Sequence, residues 1–298
     1  MRIFVTGGTG FVGREVVRQL QGVGHKVNCL VRDPERARRL LPAAVELCPG
    51  DLTEPSSLSA GLKECQAVIH LVGIIVEKGR STFERIHVQG TEDLLKTVTE
   101  AGIRRFIHMS ALGSRPNTPS RYHQTKYRAE QAVTQSGLDW TIFRPSAIFG
   151  PGDLFINLLA RIIQSAPIVP VIGRGESRIQ PISVRNVASC FALAIGNPLS
   201  HHKIYELGGP RRLTYNQIYQ IIARVLDKKK ASVHIPVPLV KPGALISEWL
   251  LPNPPITREQ LIMIQEDSVC DPSEAVHDFG LELQDFEEGI REFIKPQP

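Results

Sequence analysis

The sequence predicts a doubly wound α/β fold, a parallel sheet covered by helices on both faces, followed by a smaller mixed C-terminal lobe. Three observations predict it. Short apolar, β-branched runs such as "RIFVTG" (2–7) and "AVIHLVG" (67–73) lack polar alternation, which marks strands buried on both faces. Those runs alternate with stretches at helical spacing, the rhythm of a parallel α/β sheet. A glycine cluster sits where the first strand meets the first helix.

The elements follow in order. After the strand at 2–7, "FVGREVVRQLQGVG" (11–24) places Val12, Val16, Val17 and Leu20 on one helical face and stops at glycine. "HKVNCLVR" (25–32) is the second strand, "PERARRLL" (34–41) a short helix opened by proline, and "VELCPGDL" (45–52) the third strand. The fourth strand (67–73) leads into a long amphipathic helix over 81–102. A fifth strand (104–110), a helix (120–136) and a sixth strand (139–146) follow. These 150 residues form the dinucleotide-binding type of core, and residues 151–298 form the remaining sheet elements and a substrate lobe. Helical runs are expected at 153–165, 184–196 and 214–227. The stretch 232–258 is rich in proline, and its "ALISEWLL" (244–251), with Trp249, is expected to pack into a core, the alternatives being the lining of an apolar substrate pocket or contact with a membrane or partner.

Composition narrows the partners. The net charge of +5 comes from lysines and arginines spread along the chain, which fits an anionic small ligand and not a nucleic-acid footprint. Five dispersed cysteines without a C-x-x-C point to reduced thiols and a cytosolic setting. No apolar run is long enough to span a bilayer, and none at the start reads as a signal peptide, so any membrane association is peripheral. His201-His202 has no matching ligands nearby in sequence, so no metal site is expected.

The glycine cluster carries the first functional signal. Gly8-Thr9-Gly10-Phe11-Val12-Gly13 is a G-x-G-x-x-G, overlapped by Gly7-x-x-Gly10-x-x-Gly13. In this context one glycine makes a tight turn, one lets backbone approach a pyrophosphate, and one packs helix on strand. The helix N-terminus supplies unpaired amides for the phosphates. At the end of the second strand, where an NAD site places a carboxylate, this chain has Arg32, with Asp33 one position on. A guanidinium suits a 2′-phosphate, so NADP is expected ahead of NAD.

The second signal is "YHQTK". Tyr122 and Lys126 stand four apart, on one face of the helix over 120–136. A neighbouring ammonium favours the phenolate, so the pair is expected to lower the phenol's pKa and move a proton. Ser110 ends the preceding strand and can return to the same place. The alternative is a pair that only grips a ribose. His70, on an apolar strand, reads as a satisfied core residue. Arg174 and Arg178 read as surface charge.

With "GDL" (50–52), "HLVG" (70–73) and "RPSAIFGPGD" (144–153), these motifs resemble the short-chain dehydrogenase/reductase superfamily. The likeness is to its extended and atypical, epimerase/dehydratase-like branches, and within them to the group with the dehydrogenase-like accessory subunit of respiratory complex I. "QPISVRNVA" (180–188) and "YELGGPRRLTY" (205–215) fit that group too. The resemblance implies that Asp51 and Leu52 flank the adenine, and that Leu71, Val72 and Gly73 line the ribose and nicotinamide side. It implies Tyr122 as acid/base, Lys126 on the nicotinamide ribose, Ser110 on the substrate oxygen, and Pro145, Ser146 and Ile148 beside the nicotinamide. Where such proteins often carry an asparagine in "VN-x-x-GT", this chain reads "IHVQGT" (86–91). His87 stands at that position and could take over a relay role. Two functions follow from the resemblance: an NADP-dependent oxidoreductase or epimerase acting on a small-molecule carbonyl or hydroxyl, or a non-catalytic NADP-binding accessory subunit, assembly factor or sensor attached to a membrane complex.

Overall fold

The computed structural model describes residues 1–251 and 254–295. Pro252, Asn253 and residues 296–298, part of the lobe expected over 151–298, lie outside the described residues. Two compact units divide the chain. The first takes Met1–Pro145, Arg185–Glu206 and Ser273–Leu281, and the second takes Ser146–Val184, Leu207–Pro272 and Glu282–Pro298.

The strands of the first unit are β1 (Arg2–Thr6), β2 (Lys26–Val31), β3 (Glu46–Pro49), β4 (Ala67–His70), β5 (Arg105–Met109) and β6 (Asp139–Pro145). Between them run helices α1 (Phe11–Gly22), α2 (Pro34–Leu40), α3 (Leu58–Leu62), α4 (Gly90–Glu100) and α5 (Arg121–Thr134). β1 to β6 pair in parallel. Later strands are β7 (Ile148–Phe149), β8 (Ile168–Ile172), β9 (Arg178–Ile179), β10 (Ile182–Ser183), β11 (Lys203–Leu207), β12 (Leu213–Thr214) and β13 (Ala231–Ile235). The main sheet has the order β11-β6-β5-β4-β1-β2-β3. Its order reverses between β1 and β4, and such a switch point is where an open α/β sheet receives a ligand at its carboxyl edge.

The expected doubly wound fold is therefore present, with three differences in detail. The stretch 203–207, which has no strand pattern of its own, adds β11 at the sheet edge. A short turn and α3 fill the path from β3 to β4. The long helix expected over 81–102 opens as a π-helical segment, Glu84–Gln89, before α4. A widened turn of this kind, with i→i+5 bonding, departs from the 3.6-residue spacing by which a helix is read from sequence.

The core explains the alternation of runs. Phe4, Val68, Phe106 and Ile142 come from four neighbouring strands and pack with Leu94 and Val98 of α4 and Val133 of α5. α5 is also tied electrostatically. Glu130 is fully buried and accepts Arg144 Nε at 2.8 Å and a second guanidinium nitrogen at 2.5 Å, linking the helix to β6. The Ser120 hydroxyl caps its start by accepting from the His123 amide at 3.1 Å.

The later helices are α6 (Phe155–Ser165), α7 (Val184–Ala194), α8 (Tyr215–Val225), α9 (Val237–Leu250), α10 (Arg258–Met263), α11 (Ser273–Phe279) and α12 (Phe286–Arg291). In the second unit, α6, α8 and α12 bury Ile156, Leu159, Ile163, Ile218, Ile222, Phe286 and Ile290 around Phe149. β7 pairs with β10, β9 with β12 and β8 with β13. The expectation that "ALISEWLL" packs into a core is corrected here. α9 buries only Ala244 and leaves Leu245, Ile246, Trp249 and Leu250 exposed. Its apolar residues lie on every side of the helix, so one contact face cannot cover them all.

Replacing Arg144 by Met would leave the Glu130 carboxylate buried without its guanidinium. The expected loss is about 3 kcal/mol or more by urea denaturation, with most of it recovered when Glu130→Leu is added. A single-variant loss indistinguishable from the double would contradict the role given to the pair.

Candidate functional site

The site is built where β1 and β4 end. Gly7 leaves β1 with φ +79°, in the left-handed region that glycine adopts without cost. A Cβ there would stand 3.0 Å from the Leu71 carbonyl carbon and 3.0 Å from the Val72 amide, so the two strand exits touch backbone to backbone. Gly10 donates its amide to the Gly7 carbonyl at 3.0 Å and serves as the N-cap of α1, with no side chain capping the helix. A Cβ on Gly13 would come within 2.1 Å of the Gly7 carbonyl oxygen. Gly8 is needed as well, since a Cβ there would overlap the Cys29 sulfur, so both overlapping glycine patterns meet a geometric need. Uncapped amides at the start of α1, beside a turn that admits no side chain, fit a diphosphate. Thr9, Phe11 and Val12 occupy the same turn, with Val12 buried.

Around the rim, Arg32 is exposed just past β2. Asp33 accepts the Arg36 amide at 2.9 Å and caps α2, so its carboxylate is committed to its own helix. Asp51 accepts both the amide and the hydroxyl of Thr53, at 2.8 and 2.9 Å, and Leu52 is buried beside it. Gly73 follows the exit of β4. A Cβ there would meet Lys126 Nζ at 3.0 Å and His87 Nε2 at 3.7 Å, which brings the fourth-strand exit and the α5 lysine together.

Lys126 is buried and donates to the Met109 carbonyl at 2.9 Å, at the end of β5. Burial lowers its pKa to about 8, opposed by Glu130 one turn on. Next along the chain, Ser110 is buried and its hydroxyl stands 3.1 Å from that of Ser114, which itself donates to the Ala111 carbonyl at 2.8 Å. The Tyr122 ring sits edge-on to Phe83, His87 and His123, at 5.9, 5.4 and 5.3 Å between centroids. The expected lowering of its pKa is not found. Burial among these rings pushes the phenol up to about 12. At neutral pH it holds its proton.

His87 is not free to act as a relay either. Its Nε2 accepts the Ile74 amide at 3.1 Å, so Nδ1 carries the hydrogen and donates to the Thr125 hydroxyl at 2.9 Å. Burial, with Lys126 second, lowers its pKa to about 2. It is a neutral clamp joining the loop after β4 to α5. His70 is satisfied as expected. The Thr91 hydroxyl donates to the His87 carbonyl at 2.6 Å, so it accepts from His70 Nε2 at 3.1 Å, and His70 Nδ1 accepts from Thr6 at 2.6 Å. His108 lies fully buried next to it, ring centroids 5.2 Å apart, with neither nitrogen hydrogen-bonded among the described residues. Burial drives His70 to about 3 and His108 well below the usual value, with Lys126 adding to both. Thr6, Thr91, Thr125 and the three imidazoles thus form a polar layer beneath the lysine that sequence spacing did not mark. They come from five separate segments, and only "HLVG", "IHVQGT" and "YHQTK" drew attention to any of them.

Pro145 ends β6, and its carbonyl accepts the Leu112 amide at 2.9 Å. Ser146 and Ile148 belong to the second unit. There the Ser146 hydroxyl donates to the Ser268 carbonyl at 2.8 Å, and Ile148 pairs with Ile182. In that unit Arg178 is paired with Asp267 at 2.7 Å, in keeping with surface charge.

Comparisons with known proteins identify relatives of the chain. The profile of the NAD(P)H-binding family matches residues 7–152. A mitochondrial protein of Arabidopsis thaliana, NADH dehydrogenase [ubiquinone] 1 alpha subcomplex subunit 9, is 29% identical over 292 residues, covering 95% of this chain and 73% of its own. Ceramide reductase of Caulobacter vibrioides is 31% identical over 250 residues, covering 83% of this chain and 78% of its own. Among solved structures, UDP-glucose 4-epimerase of Thermotoga maritima superposes with a TM-score of 0.78 at 20% identity, covering 99% of this chain and 97% of that one, which is a likeness of fold.

The buried imidazoles give a pH dependence with a definite sign. An unfolded chain protonates each histidine below about 6.5, whereas the folded chain refuses those protons, so stability falls as pH drops through that value. Between pH 6.5 and 5 each contributes about 2 kcal/mol of loss. His108→Leu is expected to reduce the acid-induced loss by about that amount in urea midpoints taken at the two pH values. An unchanged pH dependence would contradict the burial of a neutral His108.

Proposed function

The chain belongs to the NAD(P)H-binding, epimerase/dehydratase-like short-chain dehydrogenase/reductase family, and on that premise we propose that it reduces a carbonyl group on an apolar small molecule, with NADPH as the reductant. The cofactor supplies the hydride. The chain's part is to hold the diphosphate at the Gly7–Gly13 turn, to grip the nicotinamide ribose with Lys126, and to place a proton on the substrate oxygen.

One observation carries the reading: the Tyr122 phenol is kept protonated by burial, on the same helix face as a buried lysine. A phenol pushed up to about 12 carries its proton at neutral pH, the protonation state from which carbonyl reduction starts. Burial alone makes it a weaker acid than a free phenol, so release of the proton relies on the Lys126 ammonium to ease it. As hydride reaches the carbonyl carbon, the π electrons move to oxygen and take the Tyr122 proton, giving the alcohol. Lys126 beside the resulting phenolate stabilises its charge. Ser110 is proposed to orient the oxygen. The ceramide reductase relative supports an apolar, lipid-like carbonyl compound. For NADPH over NADH the support is Arg32, exposed past β2, and Asp33, already spent on the cap of α2. Asp51, Leu52, Leu71, Val72, Gly73, Pro145, Ser146 and Ile148 are proposed as the remaining cofactor contacts. The five free cysteines suit a reducing compartment such as the cytosol.

A second reading has its own observation. The Arabidopsis relative, similar over nearly the whole chain, is a subunit of an NADH dehydrogenase. On that reading the chain holds NADPH as an accessory or assembly factor bound to a membrane complex, and Tyr122 and Lys126 serve binding alone.

NADPH oxidation against a panel of lipophilic ketones and quinones separates the two. Turnover is expected, with Tyr122→Phe losing at least about a hundredfold in kcat while cofactor affinity holds. Retained cofactor with no turnover on any carbonyl, together with a co-purifying complex, would reject the reductase. Arg32→Ala is expected to weaken NADPH binding by about tenfold or more and to leave NADH nearly unchanged, measured by fluorescence titration. Equal effects on both would remove Arg32 from the 2′-phosphate.

A further inference from the structure

We propose that α9 is a membrane-docking helix that seats the protein on anionic lipid surfaces. In the second unit this helix buries only Ala244. Leu239 is 72% exposed, Trp249 85% and Leu250 62%, with Leu245, Ile246 and Leu251 also open. A soluble surface rarely gathers so many large apolar side chains in one place without using them. Two charged residues lie on α9. Glu248 is already paired with Arg258 at 2.8 Å, which leaves Lys241 as the charge offered outward.

The charge pattern selects the occupant. Between Asp227 and Glu248 lie four lysines and no acid, Lys228, Lys229 and Lys230 ahead of β13 and Lys241 on α9 itself. Of these, Lys230 donates to the Ala166 carbonyl at 2.8 Å, which leaves three to face an anionic surface. An exposed apolar helix with a tryptophan at its end and an outward lysine has the side chains that settle at a lipid interface. The helix spans 14 residues, short of the roughly 20 needed to cross a bilayer, so it would lie in the interface plane. No helix among the described residues is long and apolar enough to span. The inference stands apart from the proposed reductase activity, since it uses no residue of the nucleotide site.

The test is sedimentation of the full chain with vesicles of phosphatidylcholine alone and of an equal mixture with phosphatidylserine. The chain is expected to sediment with the mixed vesicles, to be released by high salt, and to shift its tryptophan emission to the blue. Replacing Lys228, Lys229 and Lys241 by Gln is expected to weaken binding by about fivefold per lysine. Leu245→Glu with Trp249→Glu is expected to abolish it while NADPH binding is retained. All five side chains are solvent-accessible, so the variants should fold, and circular dichroism checks that they do. Failure to sediment with either vesicle overturns the proposal. So does a dimer that Trp249→Glu converts to monomer without any vesicle binding, or capture by an acidic protein alone.

Discussion

At the switch point of the sheet, the turn after β1 lies directly against the exit of β4, backbone on backbone. Any side chain at Gly7 would stand in the Leu71–Val72 peptide, and any at Gly13 would enter the Gly7 carbonyl. This contact sets the rest. It fixes where α1 begins, leaves the first amides of that helix facing the carboxyl edge of the sheet, and steers the chain after β4 over the side chain of Lys126. The turn that fits a diphosphate and the cover over the buried lysine are therefore two outcomes of one steric fact.

Burial then sets the chemistry. Lys126 is held by the Met109 carbonyl and kept near its titration point, while the imidazoles around it are held neutral. Neutral neighbours matter, because a protonated histidine in this layer would repel the ammonium at a separation where little water screens it. Tyr122 responds to the same dryness in the opposite sense and keeps its proton. At neutral pH Tyr122 is therefore a protonated phenol and not the phenolate that the four-residue spacing predicts. His87, at the position where related chains often carry asparagine, joins Ile74 to Thr125 and leaves no ring nitrogen over for passing a proton on.

Much of this was legible in the sequence for identifiable reasons. Strands buried on both faces write themselves as unbroken apolar runs, and glycines forced by backbone contact stand out because nothing else tolerates the position. The Tyr122–Lys126 spacing was legible because helix geometry converts four residues into one face. What escaped depends on tertiary context. The π-helical turn around His87 has no period, β11 gains its strand conformation from the sheet edge, and the tilt of the phenol's pKa comes from rings at 83, 87 and 123 whose approach no spacing reveals. The exposure of the run at 244–251 escapes a sequence reading because an apolar run carries no sign of whether a partner covers it.

The account's central claim is that the β1–α1 turn binds a pyridine dinucleotide. Calorimetric titration of the purified full chain with NADPH and NADH, repeated with Gly13→Val, tests it most directly. The account predicts saturable heat for NADPH in the original chain and none in the variant, whose added side chain must displace the Gly7 carbonyl. Absence of heat with either coenzyme in the original chain, or equal binding by the variant, would contradict it.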